Sequence, residues 1–282
     1  MEKELESLVE KAKDGNKDAF EALIRAIQDN IYGLALRMLW HPSDAEDATQ
    51  EILIKIITHL DSFRGESAFK TWVYRIASNH LITTNKCRVA KSDLSFKSYE
   101  ESIDSFVLDN QSNAVPGPEQ ALIVQEIMIG CTMGMLLCLD RDHRIAYILG
   151  EISEMKGEQC AAILDITSEA FRKRFSRARK LLNDFMNKKC GLVNSDNPCR
   201  CSRYIERAIK DGMDNPDKMM FANRPCKKKK DVVTLEQLQE MKDLHRAVTV
   251  FRSHPDYTAP EKFVDGIKEL LDSGRLSLSG VQ

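Results

Sequence analysis

Long apolar runs are missing from this 282-residue chain. No stretch reaches the roughly 18 consecutive apolar residues that cross a bilayer. The opening MEKELESLVEKAKDG also has no apolar signal core, so the expectation is a cytoplasmic protein without membrane insertion. A dominant charge is missing too. The formal net charge is only -2, so any affinity for nucleic acid has to come from a local patch. Catalytic signatures are lacking: there is no Walker loop, HExxH or GxSxG, and the six histidines are scattered, which argues against an enzyme. No period-two pattern predicts a strand in the first ninety or so residues. Cysteine is not scarce, at eight residues, but a cytoplasmic setting keeps most of them as thiols.

Helical periodicity is what the chain does have. Leu5, Leu8, Val9 and Ala12 predict a short helix ending near Gly15, and Ala19, Phe20, Leu23, Ile24, Ile27, Ile31, Leu34 and Met38 predict a longer one over 17–39. Ser43 with Glu46, just after Pro42, reads as a capping box. The helix it opens has an apolar face of Ala45, Ala48, Ile52, Leu53, Ile56, Ile57 and Leu60, opposite Asp44, Asp47, Gln50, Glu51 and Ile54. An isoleucine among acids is either part of a docking surface or an ordinary exposed side chain. After the loop Phe63-Arg64-Gly65-Glu66-Ser67, a further helix buries Phe69, Val73, Ile76, Ala77 and His80. Trp72, Arg75 and Asn79 fall on one flank of it. That flank suits stacking on and hydrogen bonding to an unpaired base, unless Trp72 only completes the core.

From Ser92 to Pro118 the texture turns to Ser, Asp and Asn, and between Lys91 and Glu119 six acids face two lysines, which reads as an acidic flexible linker. Helical spacing resumes at Glu119 and continues through Ile152. A short helix over 158–164, a turn at Asp165-Ile166-Thr167 and a longer helix from Ser168 then have helix-turn-helix proportions. From Ala170 to Lys189 eight Lys or Arg stand against one acid, Asp184. That is either a solvated basic face or a major-groove helix, with phosphates supplying most of the affinity.

The tail places Cys190, Cys199 and Cys201 within twelve residues, and Cys226 follows just before Lys227–Lys230. Three readings stay open: a zinc or other soft-metal site at Cys190, Cys199, Cys201 and Cys226, a thiol switch, or unligated cysteines. Thr234 with Gln237 predicts another helix carrying Leu235, Leu238, Met241, Leu244, Val248 and Phe251. Phe263, Val264, Ile267, Leu270 and Leu271 predict one more, ended near Gly274. These helices either dock on the preceding domains and restrain them or bind a partner.

DAEDATQEI followed by FRGESAFKTWVYRIASN closely resembles conserved region 2 of bacterial RNA polymerase sigma factors of the extracytoplasmic-function group. The resemblance implies that the first helix docks on the clamp of the polymerase's largest subunit through Asp47, Gln50 and Glu51, with Ile54 beside them. It implies that the loop and second helix open and read the promoter's minus-ten element. Phe63 and Asn79 would sit at the pocket for a flipped base, with Trp72 and Arg75 alongside. SEAFRKRFSRARKLL resembles region 4 of the same factors, which reads the minus-35 element. Ser168, Glu169, Arg172 and Lys173 would then approach bases, with Arg174, Arg177 and Arg179 nearer the phosphates. Phe171 stands where the family usually has Val, and Met155-Lys156-Gly157-Glu158-Gln159 replaces the common Leu-Ser-Tyr-Glu-Glu.

The expected fold is all-α: a region 2 bundle over 1–91, the acidic linker over 92–118, a region 4 helix-turn-helix over 119–189, and a helical cysteine-containing extension over 190–282. The resemblance implies core RNA polymerase and promoter DNA as partners, an anti-sigma factor as a further candidate, and no required cofactor. A stand-alone helix-turn-helix regulator would explain 168–189 but leave Phe63, Trp72 and Asn79 without a purpose. A metal- or redox-sensing regulator would give the tail cysteines the leading role.

Overall fold

The structure is a computed structural model that describes residues 2–84, 94–109, 117, 120–227, 237–238, 241 and 243–273. After α1 (Glu2–Lys13), helix α2 (Lys17–Leu39) starts where the Asn16 side chain accepts a hydrogen bond from the Ala19 amide at 2.8 Å. It stops at Trp40, whose φ of 67° turns the chain while its N–H bonds back to the Leu36 carbonyl. Helix α3 (Pro42–Thr58) begins two residues earlier than the capping-box reading, which makes Ser43 the N-cap. Its cap is His41, whose Nδ1 accepts from the Ser43 amide at 3.3 Å. Pro42 fits the first turn because that position needs no N–H. Asp44, expected on the outward side, is buried. A 3-10 turn (Leu60–Ser62) and a loop with Gly65 at φ 74° lead into α4 (Phe69–Thr83).

The expected linker holds a helix, α5 (Phe96–Asp109), which corrects the reading of that stretch as flexible throughout. Its polar composition hides Phe96, Tyr99, Ile103 and Phe106, spaced to share one side of a helix. Phe96 and Tyr99 lie 5.3 Å and 5.9 Å from Phe185, and Phe106 stacks on Tyr204 at 3.7 Å. Then come α6 (Ala121–Leu137), α7 (Arg141–Tyr147) running into a π turn (Ile148–Ile152), α8 (Gly157–Leu164) and α9 (Ser168–Lys189). The tail adds α10 (Ile205–Lys210), α11 (Asp243–Arg252) and α12 (Lys262–Asp272). Thr234 and Leu235, expected in the helix before α12, lie outside the described residues. No strand occurs among the described residues, which confirms the all-α class; two isolated bridges join Cys190 to Cys199 and Cys226 to Tyr257.

Two compact units divide these elements and cut across the consecutive domains read from the sequence. The first comprises Met1–Cys87, Lys156–Phe171 and Thr258–Gln282, and the second Arg88–Met155 and Arg172–Tyr257. In the first unit, Leu23, Ile24, Ile31 and Leu36 of α2, Ile52 and Leu53 of α3, and Phe69, Val73, Ala77 and Leu81 of α4 are buried together. In the second, Ile129, Met133, Leu136, Tyr147, Leu182 and Phe251 are buried. Two polar side chains cross-brace that unit. The buried Glu126 carboxylate accepts hydrogen bonds from the amides of Met220, Phe221 and Ala222 at 2.6–2.9 Å. Arg144 donates to the carbonyls of Leu136, Leu137 and Leu139, satisfying the end of α6. Among the described tail residues, Met220–Ala222 and Phe251 are therefore built into this unit's core.

Candidate functional site

In the first unit, α3 and α4 frame an open concavity of ≈ 500 Å³ lined by Lys55, His59, Ser62, Trp72, Ile76, Asn79, His80 and Thr83. Trp72 and Asn79, seven residues apart on α4, fall on one flank and both line it. The α3 side adds a polar relay: Lys55 Nζ lies 2.8 Å from His80 Nδ1, and Glu51 Oε2 lies 3.5 Å from His80 Nε2. An indole, a carboxamide and an ammonium around one opening can stack on a planar ring and hydrogen-bond to its edge.

Phe63 and Arg75 are placed differently. Phe63 is buried, 5.3 Å from the Phe69 ring and 5.6 Å from Trp72, and its carbonyl accepts from Lys13 Nζ at 2.7 Å. It backs Trp72 from beneath instead of lining the opening. Arg75 spends its guanidinium on the Ala162 carbonyl of α8, at 3.1 Å from Nε and 2.8 Å from Nη2. Ile76, expected in the core, is only half-buried and lines the concavity. Lys55, His59, Ser62 and Thr83 were not singled out from the sequence. Their shared signal is position alone, at the C-terminal ends of two helices that the loop folds side by side.

On the outward side of α3, Asp47 and Gln50 are exposed, while Glu51 and Ile54 are half-buried. Spaced at three and four residues, they form one continuous row.

The helix-turn-helix matches the expected bounds to one residue, with α8 starting at Gly157 instead of Glu158. Asp165 adopts the left-handed conformation that closes α8 (φ 53°, ψ 46°), and Thr167 Oγ1 accepts from the Ala170 amide at 3.1 Å to open α9. Phe171 is buried and contacts the position of Gly157, where an added Cβ would meet its ring at 3.7 Å. Ser168, Glu169, Arg172, Lys173 and Arg177 are exposed. Two of the expected phosphate contacts are engaged inside the second unit: Arg174 pairs with Asp142 and Arg179 with Glu151, each at 3.1 Å. Phe175, expected in the buried stripe, is half-buried under Arg179.

Among the described residues no three His, Cys, Asp or Glu side chains are disposed to hold a metal ion. The four cysteines expected as ligands are not brought together. Cys226 pairs through its backbone with Tyr257, while Cys131 of α6 lies within electrostatic reach of Cys190, Cys199 and Cys201. Burial pushes the Cys131 thiol up to about 12 and that of Cys190 up to about 11, and it raises Cys199 and Cys201 in the same direction. No helix among the described residues is long and apolar enough to cross a membrane.

The Sigma-70 region 2 family matches residues 23–88, which include most of α2 and all of α3 and α4. An RNA polymerase sigma-H factor of Pseudomonas aeruginosa is 32% identical over 182 residues, covering 63% of this chain and 91% of the relative. An ECF RNA polymerase sigma-E factor of Escherichia coli is 34% identical over 182 residues, with the same two coverages of 63% and 91%. The chain belongs to the extracytoplasmic-function RNA polymerase sigma factors. A solved chain described as the sigma factor RpoE in complex with the anti-sigma factor NepR from Bartonella quintana is 25% identical, with a TM-score of 0.40, covering 60% of this sigma factor and 96% of that chain. As a sigma factor the protein binds core RNA polymerase and promoter DNA and directs transcription initiation; it is not an enzyme. Each of these two alignments leaves more than a third of this sigma factor uncovered.

Proposed function

We propose that this sigma factor uses the two sides of α3 and α4 for two tasks. The outward row Asp47, Gln50, Glu51 and Ile54 docks on core RNA polymerase, and the concavity beside Trp72 and Asn79 receives an unpaired base of the minus-ten element. The observation that carries the reading is the shared wall of that concavity, where Trp72 offers a stacking face and Asn79 a donor and acceptor within one opening. Phe63 supports the indole. Arg75 contributes to DNA only once its hydrogen bonds to Ala162 open. Residues 1–91 are accordingly the polymerase and minus-ten module, and 119–189 the minus-35 module. In the latter Ser168, Glu169, Arg172 and Lys173 approach bases and Arg177 a phosphate, while Arg174 and Arg179 join after leaving Asp142 and Glu151.

The deciding experiment pairs a binding assay with promoter opening. Asn79→Ala should lower permanganate reactivity of the minus-ten thymines about tenfold, equivalent to about 1.4 kcal/mol of lost base contact. Affinity for core polymerase should stay unchanged. Loss of core binding by Asn79→Ala would overturn the division of tasks.

Cytoplasmic residence, beside the polymerase, and control by an anti-sigma factor belong to the same reading. Zinc at the tail thiols is a further proposal, resting on the sequence clustering of Cys190, Cys199 and Cys201 within twelve residues. Purified protein should then carry zinc that is lost from Cys199→Ser with Cys201→Ser, and a metal-free parent would end it.

A further inference from the structure

The α2 and α3 surface of the first unit already has an occupant from the same chain. Helix α12 buries Phe263, Val264 and Ile267 along one stripe. Phe263 meets Tyr32 of α2 edge-on at 6.5 Å, and Val264 and Ile267 share the walls of one hollow with Phe20 and Ile24. Ion pairs fasten the helix along its length: Lys262 reaches Glu46 of α3 at 2.5 Å, and Lys268 reaches Glu21 of α2 at 2.6 Å. The Ala259 amide donates to Asp29 Oδ1 at 2.8 Å and sets where the segment arrives. The Glu21 carboxyl is held below its usual range by Lys268 first and by Arg25 after it.

Where α12 passes α3 it runs beside the proposed polymerase row. A Cβ added at Gly266 would stand 4.0 Å from Gln50 Nε2, and Glu46, held by Lys262, lies one turn before Gln50. A helix seated on Glu46 and beside Gln50 takes up ground at one end of that row, which a protein surface docking along the row would also need.

We propose that α12 is an internal competitor for the polymerase-docking face, seated there in the free sigma factor and displaced when core polymerase binds. The inference rests on reading Asp47, Gln50, Glu51 and Ile54 as polymerase contacts. If α12 is seated on nine chains in ten, the apparent affinity for core is about tenfold below the intrinsic one. Undocking therefore acts as a gain control without touching any contact residue.

Two measurements on the full-length chain test this. In the first, equilibrium binding to core polymerase is compared for the parent, Phe263→Asp with Lys268→Glu, and the charge swap Glu21→Lys with Lys268→Glu. The double variant should bind core up to about tenfold more tightly. The charge swap, which restores the ion pair in reverse, should stay near the parent value. In the second, which needs no variant, hydrogen exchange of amides 262–272 should speed up when parent protein binds core. Equal affinities across the set, with exchange at 262–272 unchanged on binding, would overturn the competitor while leaving the polymerase face intact. Failure of every chain, parent included, to bind core would overturn the polymerase reading and the competitor with it.

Discussion

Cys131 illustrates how one side chain takes on a role through distant neighbours. Nothing about its place in α6 singles it out, yet it lies near Cys190, Cys199 and Cys201, and burial raises its thiol to about 12. An ordinary unfolded thiol titrates near 8.5. Between roughly pH 9 and pH 11 the unfolded chain therefore gives up thiol protons that the folded chain retains, so the unfolded state binds fewer protons and stability falls as pH rises. Below about pH 7.5 the thiols contribute little slope. Urea midpoints should change little from about pH 7 to 7.5 and then drop toward about pH 10.5, with a shallower alkaline decline in Cys131→Ala. A midpoint unchanged at pH 10.5 would show that these thiols are not protected. Phe63 is a second case: the family resemblance aims it at DNA, but the rings of Phe69 and Trp72 and the Lys13 contact hold it inside.

Helices α3, α4, α8 and α9 were legible because their evidence is short-range. Apolar residues three and four apart define a face, and turn chemistry at Asp165 and Thr167 defines the break between α8 and α9. Helix α5 escaped notice because serines and acids outnumber Phe96, Tyr99, Ile103 and Phe106, and only Phe185 and Tyr204 give that stripe something to cover. On α9, Arg172 is exposed near the N-terminal end, where a recognition helix contacts base edges. Arg172→Ala should change the preferred minus-35 sequence in a randomised promoter selection, by about 1–3 kcal/mol at one position. A uniform loss across all sequences would instead mark Arg172 as a phosphate contact.

Across the whole molecule a net charge of -2 conceals strong local imbalance. The eight basic residues of 170–189 are not all available, since Arg174 and Arg179 are paired with Asp142 and Glu151 and Lys188 and Lys189 with Glu100. Arg172, Lys173, Arg177 and Lys180 are exposed, Lys180 in an i,i+4 ion pair with Asp184 at 2.6 Å. If those four meet phosphates, promoter affinity of the holoenzyme through the minus-35 element should fall with salt with a log-log slope of about -3.6. Comparing promoters with and without that element isolates the contribution, and a difference in slope near zero would remove α9 from the phosphate contacts.

Local order was written in the chain: the helix bounds, the helix-turn-helix break and the outward row of α3 follow from side-chain spacing within a few turns, which backbone hydrogen bonding translates directly into geometry. What folding decided is every meeting of residues far apart in sequence. Lys262 and Glu46, Cys131 and Cys201, and Phe96 and Phe185 carry no local mark of one another. Their partners were selected by which apolar faces had to be covered, because burial is non-directional and rewards area rather than identity. The same reason makes α12 both readable as an amphipathic helix and unreadable as the occupant of α2.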